Sequence, residues 1–466
     1  MSIMNKNLLP SPPTERLADW LTNLSLDQIP AQVRHGAVRD IQDALGLIVA
    51  SVNESYCQQI ASVWDATGPC SVPGIGQGFD IAGAALINGL AIHGEDFDDT
   101  LEGSPIRVGA MTIPAAFAVA ERYGLSGERA LLGVVAGLET ICRLNLVAPG
   151  AIHKAGFHPV GVIGALGACA AAGVTLGLNA KQMTNALGIA GSFSSGLLEY
   201  LTAGAWTKRI HPGWAAQSGA KAALIASGGF SGPNTVLEGP KGFFKGFAHG
   251  AKHLDFDAMF AGLGEDWLIN NIAFKPYACG TMIHPYIDCA IRLAESGIQD
   301  DQILRIECDT GEGLVDRLWE PLHSKHQPGS GYAAKFSMPY CMAVAYCDRA
   351  AGLAQFSDER VSDERLLRLA RKIHYRIDPE NEYPKNYSGH MLVSLADGSS
   401  QVFRQSHFRG GVKEPLTDLD IEKKFLQNCS HGQWSRARAD ALFEFTHNIH
   451  KQTSFDLSAF RQPTSS

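Results

Sequence analysis

A chain of 466 residues, 45% hydrophobic and 18% charged, is too long for one hydrophobic core and is expected to form two soluble domains. A net charge of −8 without a basic tract argues against nucleic acid as the main partner, and Met1–Pro13 lacks the basic segment and apolar run of a secretory signal. Ten cysteines are scattered without a CxxC pair and read as reduced thiols of a cytoplasmic protein, and charges and glycines break the apolar runs before they reach membrane-spanning length.

Thr14 is expected to cap a first amphipathic helix through Leu17, Trp20, Leu21 and Leu24. Pro30 opens a second, with Val33, Ala37, Ile41, Ala44, Leu45 and Ile48 on one stripe. Residues 71–78 are glycine-rich but lack the lysine of a P-loop and a preceding strand, so they read as a turn. A small-residue helix over 81–92 then runs into His93-Gly94-Glu95-Asp96-Phe97-Asp98-Asp99, which holds four carboxylates within five residues. Acids so close repel one another, so the fold must supply cations or donors to them. Helical patterns follow at 111–123, 127–145, 160–176, 180–192 and 213–226, with no alternating strand up to about Gly250. The character changes near Ala273. Helices are expected at 283–295, 337–353 and 363–371, with strands at 302–309, 372–377, 391–395 and 400–405, the last two joined by Asp397-Gly398. The tail returns to helices, one capped by Thr417 and one over 435–447, and is expected to pack on the first domain. The expected layout is mainly α: residues 1–272 and 411–466 helical, and 273–410 an α+β domain.

Four stretches besides the acidic one carry chemistry. His158, in Gly156-Phe157-His158-Pro159, stands at a helix start, where the positive helix end favours its neutral, basic form; a histidine making one local hydrogen bond is the simpler reading. Lys208-Arg209-Ile210-His211, just before a helix, combines cations with helix-start amides and suits a carboxylate; a solvated basic turn is the alternative. Lys275-Pro276-Tyr277-Ala278-Cys279-Gly280, followed by His284-Pro285, lies where the domain character changes, a favoured place for a pocket. Lys335-Phe336-Ser337-Met338-Pro339-Tyr340 enters a helix. The calcium loop D-x-D-x-D-G, HExxH and the Gly-x-Ser-x-Gly elbow are absent, and His153 and His158 are spaced off one helical face, so no metal is expected.

Taken in order, these stretches resemble the MmgE/PrpD family. The matching pieces also include Arg39-Asp40-Ile41-Gln42-Asp43-Ala44-Leu45-Gly46, Asn88-Gly89, Leu237-Glu238-Gly239 and Ala334-Lys335-Phe336-Ser337, and the likeness spans nearly the whole chain. The resemblance implies a helical domain built from both chain ends, an inserted α+β lid domain, a homodimer and an active site in the cleft between the domains. It implies no metal and no organic cofactor. Carried over by motif, the catalytic candidates are Asp96, His158, Lys208, Lys275 and Tyr340. Arg107, Arg209, His211 and His93 are candidates for binding the substrate.

Two departures matter. Decarboxylase-like members have a histidine seven residues before a proline after the acidic motif, where this chain has Arg107. They have a second histidine five residues after the lid lysine, where this chain has Gly280. The chemistry the family shares is proton removal next to a carboxylate, which needs a near-neutral base and fixed cations. His158 is the expected base, with Arg107, Lys208 and Lys275 as cations. With two histidines lost and an arginine gained, the reading favours epimerisation of an iminodisuccinate-like polycarboxylate. A 2-methylcitrate-type dehydration comes next and a cis-aconitate-type decarboxylation third. A carboxylate-binding dimer without activity is the reading outside the enzyme class.

Overall fold

The computed structural model describes residues 11–462; residues 1–10, most of the stretch searched for a secretory signal, and 463–466 lie outside the described residues. The chain is mainly helical and divides into two compact units. The first takes the chain up to Gly94, then Ser104–Asn270, then the tail from Gly432.

Within this first unit the Pro159–Leu176 helix is central. It packs against the helices Gly109–Tyr123, Gly127–Val147, Ala180–Phe193 and Thr207–Ser227. Its ends follow from sequence: Pro159 occupies the first turn, and Gly177 closes the helix in the left-handed conformation. Every residue of the Ile81–His93 helix is buried, and the Asp80 carboxylate caps it by accepting from the Gly83 amide at 2.8 Å. Small residues let these helices approach closely. A Cβ on Gly213 would stand 2.1 Å from the Leu86 carbonyl oxygen, so the Ile81–His93 and Thr207–Ser227 helices touch backbone to backbone there. Against expectation, Gly127–Val147 and Pro159–Leu176 are long and apolar enough to cross a membrane by length and composition. The most apolar window of the second is 94% buried inside the protein, as suits a core helix. Two further differences are local. Thr14 lies inside the Pro13–Thr22 helix, where its hydroxyl donates to Glu238 instead of capping. A short strand, Thr67–Cys70, bridges to Phe79.

The second unit comprises Glu95–Gly103 and Asn271–His431. Its four-stranded sheet has the order Ile373–Ile377, Ile303–Thr310, Gly389–Leu395, Ser400–Gln405; the first pair is parallel and the others antiparallel. Gly389–Leu395 alternates strictly between buried and half-buried residues, and the turn after it uses Gly398 at φ 86°, as the Asp397-Gly398 signal predicts. The parallel pair needs a crossover, which contains the Met338–Asp348 and Glu364–Ala370 helices. A separate two-stranded ribbon pairs Thr100 with Ala273 and Leu101 with Ile272, which ties residues 95–103 into this unit. The 273–410 segment lies inside a unit that also takes in residues 95–103 and the Asp418–His431 helix. The tail thus divides. Arg436–His447 packs in the first unit against Ala31–Ser51, whereas Lys424 anchors the preceding helix in the second by donating to the Phe97 carbonyl.

Candidate functional site

In the first unit three histidines converge from three helices. His93 ends Ile81–His93, His158 is the N-cap of Pro159–Leu176, and His211 lies in the first turns of Thr207–Ser227. The close contact at Gly213 brings the first and third together. Gly161 does the same for the second and third, since a Cβ there would lie 3.4 Å from that of His211. A short backbone ladder holds the entry to the His158 helix: the His158 amide donates to the Gly196 carbonyl and the Leu198 amide to the Gly156 carbonyl, both at 2.9 Å.

His158 and His211 meet Nδ1 to Nδ1 at 2.9 Å. One ring must donate its Nδ1–H to the lone pair of the other, so the neutral pair holds opposite tautomers. When His158 is the donor, its Nε2 carries the lone pair and is the basic atom. The ring centroid of His93 lies 6.0 Å from that of His158, and Tyr200 packs edge-on to both His158 and His211. Burial holds His158 well below the ordinary histidine range, and the neighbouring His93, His211, Lys208 and Arg107 push it further down. Burial, then His93, lowers His211 to about 4. His158 is therefore a neutral base at physiological pH, with burial rather than the helix end as the main cause.

Lys208 and Arg209 do not precede a helix as expected; both lie inside Thr207–Ser227, which begins six residues before Gly213 and carries Pro212 within it. Three residues apart, Lys208 and His211 share a helix face, whereas Arg209 is turned about 100° away. Its guanidinium lies over the Tyr56 ring, 4.3 Å from the centroid. Arg107 stands half-buried just ahead of Gly109–Tyr123.

In the second unit the acidic turn finds its cations. The Lys275 ammonium, fully buried, donates to the Asp96 carbonyl at 2.5 Å, the Asp96 carboxylate at 3.0 Å and the Cys279 carbonyl at 3.2 Å. Lys335 donates to the Glu95 carbonyl at 2.8 Å and pairs with its carboxylate. Asp96 itself adopts φ 55°, a left-handed conformation that few residues other than glycine enter. His284, also fully buried, meets the Cys279 carbonyl through Nε2 at 3.3 Å. Tyr340 is buried with its hydroxyl donating to the Gln355 carbonyl at 3.0 Å, and burial raises its pKa. A Cβ at Gly280 would meet no strain: φ is −58° and nothing would lie closer to it than 3.7 Å.

Sequence reasoning missed two residues, Tyr200 and Lys424. Tyr200 opens a four-residue helix, Tyr200–Ala203, too short to show a periodicity, so nothing pointed to it. Lys424 did leave a signal: the buried positions of its helix are Ile421, Lys424, Phe425, Asn428 and Cys429, which places a lysine on the inward stripe. Among the described residues no group of three or more His, Cys, Asp or Glu side chains is arranged to hold a metal ion.

Comparison with known proteins bears on both units. Residues 15–254 match the MmgE/PrpD N-terminal domain and residues 277–445 the MmgE/PrpD C-terminal domain. The chain is 28% identical over 438 residues to a cis-aconitate decarboxylase of Aspergillus terreus, covering 88% of each chain. It is also 28% identical over 439 residues to the cis-aconitate decarboxylase of Homo sapiens, covering 90% of this chain and 88% of that one. These relatives are lyases, not epimerases. The two domain matches together span most of the sequence, and the chain belongs to the MmgE/PrpD family of enzymes.

Proposed function

We propose that this chain is a cofactor-independent enzyme that moves a proton at a carbon next to a carboxylate of a small polycarboxylate. The observation that carries this reading is the buried His158–His211 pair, held neutral beside the positive charges of Lys208 and Arg107. Such a pair takes up or gives back one proton, while fixed cations meet the negative charge that builds on the substrate. His158 is the proton-transfer group in this proposal. Lys208 and Arg107 bind carboxylate, Arg107 through a forked, permanent charge. The family motif assigns Asp96 and Lys275 to the same reaction.

For the outcome, decarboxylation of a cis-aconitate-like substrate is the first reading, supported by relatives that cover about nine-tenths of the chain. In that reaction a C–C bond breaks, carbon dioxide leaves, and the electron pair left on the substrate takes a proton. Epimerisation is the second reading, and a specific observation favours it: Arg107 and Gly280 stand where decarboxylase-like members have histidines. A homodimer is also proposed, on the family resemblance, and a solution mass of twice 50.0 kDa checks it.

The test is incubation in D2O with cis-aconitate, 2-methylcitrate and separate iminodisuccinate stereoisomers, followed by NMR and chiral chromatography. Carbon dioxide release with one deuteron incorporated supports the decarboxylase. Stereochemical scrambling with deuterium at the α-carbon supports the epimerase instead. No turnover and no deuterium exchange with any of these compounds removes the proton-transfer reading.

A further inference from the structure

Three lysines from three distant segments donate to three consecutive backbone carbonyls. Lys335 takes Glu95 at 2.8 Å, Lys275 takes Asp96 at 2.5 Å and Lys424 takes Phe97 at 2.8 Å. All three side chains are buried, and all belong to the second unit. Lys335 and Lys275 each also bind the carboxylate of the residue whose carbonyl they hold. Lys424 adds a cation–π contact, 4.0 Å above the Phe97 ring. The middle residue, Asp96, is one of three non-glycine residues with positive φ among those described.

A left-handed aspartate is an uphill conformation that persists only where its surroundings over-determine it. Here the surroundings are the clamp. Lys335 on the Glu95 carbonyl and Lys275 on the Asp96 carbonyl set the two peptide planes that flank Asp96, and Lys424 fixes the next plane, at the Phe97 carbonyl. Lys275 then fixes the Asp96 carboxylate. Satisfying three carbonyls alone would not need three ammonium groups, because neutral donors do so without the cost of burying charge. What the ammoniums add is balance for the turn's own carboxylates.

We propose that Lys335 and Lys424 are positioning residues that act with Lys275 to hold Asp96 in its left-handed conformation and aim its carboxylate for the reaction. This rests on the role given to Asp96 under Proposed function. The substrate does not need to touch Lys335 or Lys424; they act through the turn.

The test combines kinetics with structure. Lys335→Met and Lys424→Met are expected to lower kcat about 10- to 100-fold, as misplacement of a catalytic group does, with KM little changed. Lys424→Arg is expected to recover part of the loss, and it serves if the Met variant fails to fold. In an Asp96→Asn background, Lys424→Met should cost no more than about twofold further, because residues acting through one group are not additive. A full second loss in that background overturns the proposal in favour of a general structural role. So does wild-type kcat in both Met variants while Asp96→Asn is impaired. Wild-type kcat in Asp96→Asn itself sinks the role of Asp96 in the reaction, and the catalytic meaning of the clamp with it. Crystal structures of the variants read the clamp without turnover. Asp96 leaving the left-handed region supports it, and Asp96 unmoved in both Met variants overturns it.

Discussion

His158 depends on its neighbours for its chemistry. An isolated histidine is about half protonated near pH 6.5; this one stays neutral far below that because it is buried beside positive charge. The acid limb of kcat/KM is therefore expected below pH 6.5, with no loss between neutrality and that point. Replacing His211 with Asn removes one of the groups that lower His158 and should move the limb upward, which a pH–rate profile reads directly. His158→Gln should reduce turnover by about 10²- to 10⁴-fold, the usual contribution of a general acid or base, while substrate binding persists in calorimetry. Arg107 and Gly280 are the residues expected to decide the outcome of the reaction. Because the backbone at Gly280 has an ordinary φ and admits a Cβ, the double variant Arg107→His, Gly280→His is expected to fold and raise the ratio of carbon dioxide release to deuterium exchange. An unchanged ratio would remove both positions as specificity determinants.

The helices of the first unit are spaced by what is missing from them. With no Cβ at Gly213, the Thr207–Ser227 helix rests on the backbone of Ile81–His93 and carries His211 toward His93. Gly213→Ala forces that contact open and should destabilise the protein by about 1–3 kcal/mol, the range of overpacked cores, seen as a lower urea midpoint. Activity should fall beyond what the loss of folded protein explains, because the approach of His211 to His93 opens with the helices. This crossing was not legible from periodicity. Pro212 marks a helix start in most contexts, and here it lies within the helix, so Lys208 and Arg209 read as loop residues. Along Asp418–His431 the pattern held the answer, since Lys424 sits on the inward stripe beside Ile421 and Phe425.

At the scale of the molecule, burial of histidines couples stability to pH. A histidine whose folded pKa is depressed binds its proton first in the unfolded chain, so its contribution to stability is lost as pH falls below 6.5 and continues down to the folded value. For His211 that window runs from 6.5 to about 4. Glu121 and Glu139, whose pKa values burial raises, oppose this by taking up protons in the native state. The comparison that isolates the histidine is His211→Asn against the parent. The variant should lose less stability across that window in urea titrations, and equal losses would show that His211 carries none of it. By itself the sequence determined most of the long helices of both units, the hairpin at Asp397-Gly398 and the need for cations at the acidic turn. Those depend on local spacing, turn chemistry and charge repulsion within a few residues. It also marked His158, Asp96, Lys208 and Lys275 as a set through the ordered family motifs. Only the tertiary structure decided that His158 pairs with His211, that the tail divides between the units, and that three buried lysines grip Glu95, Asp96 and Phe97 in turn. Each of those rests on contacts between residues far apart in the chain, whose distances are set by packing and by glycines that admit another backbone, and no local pattern encodes them.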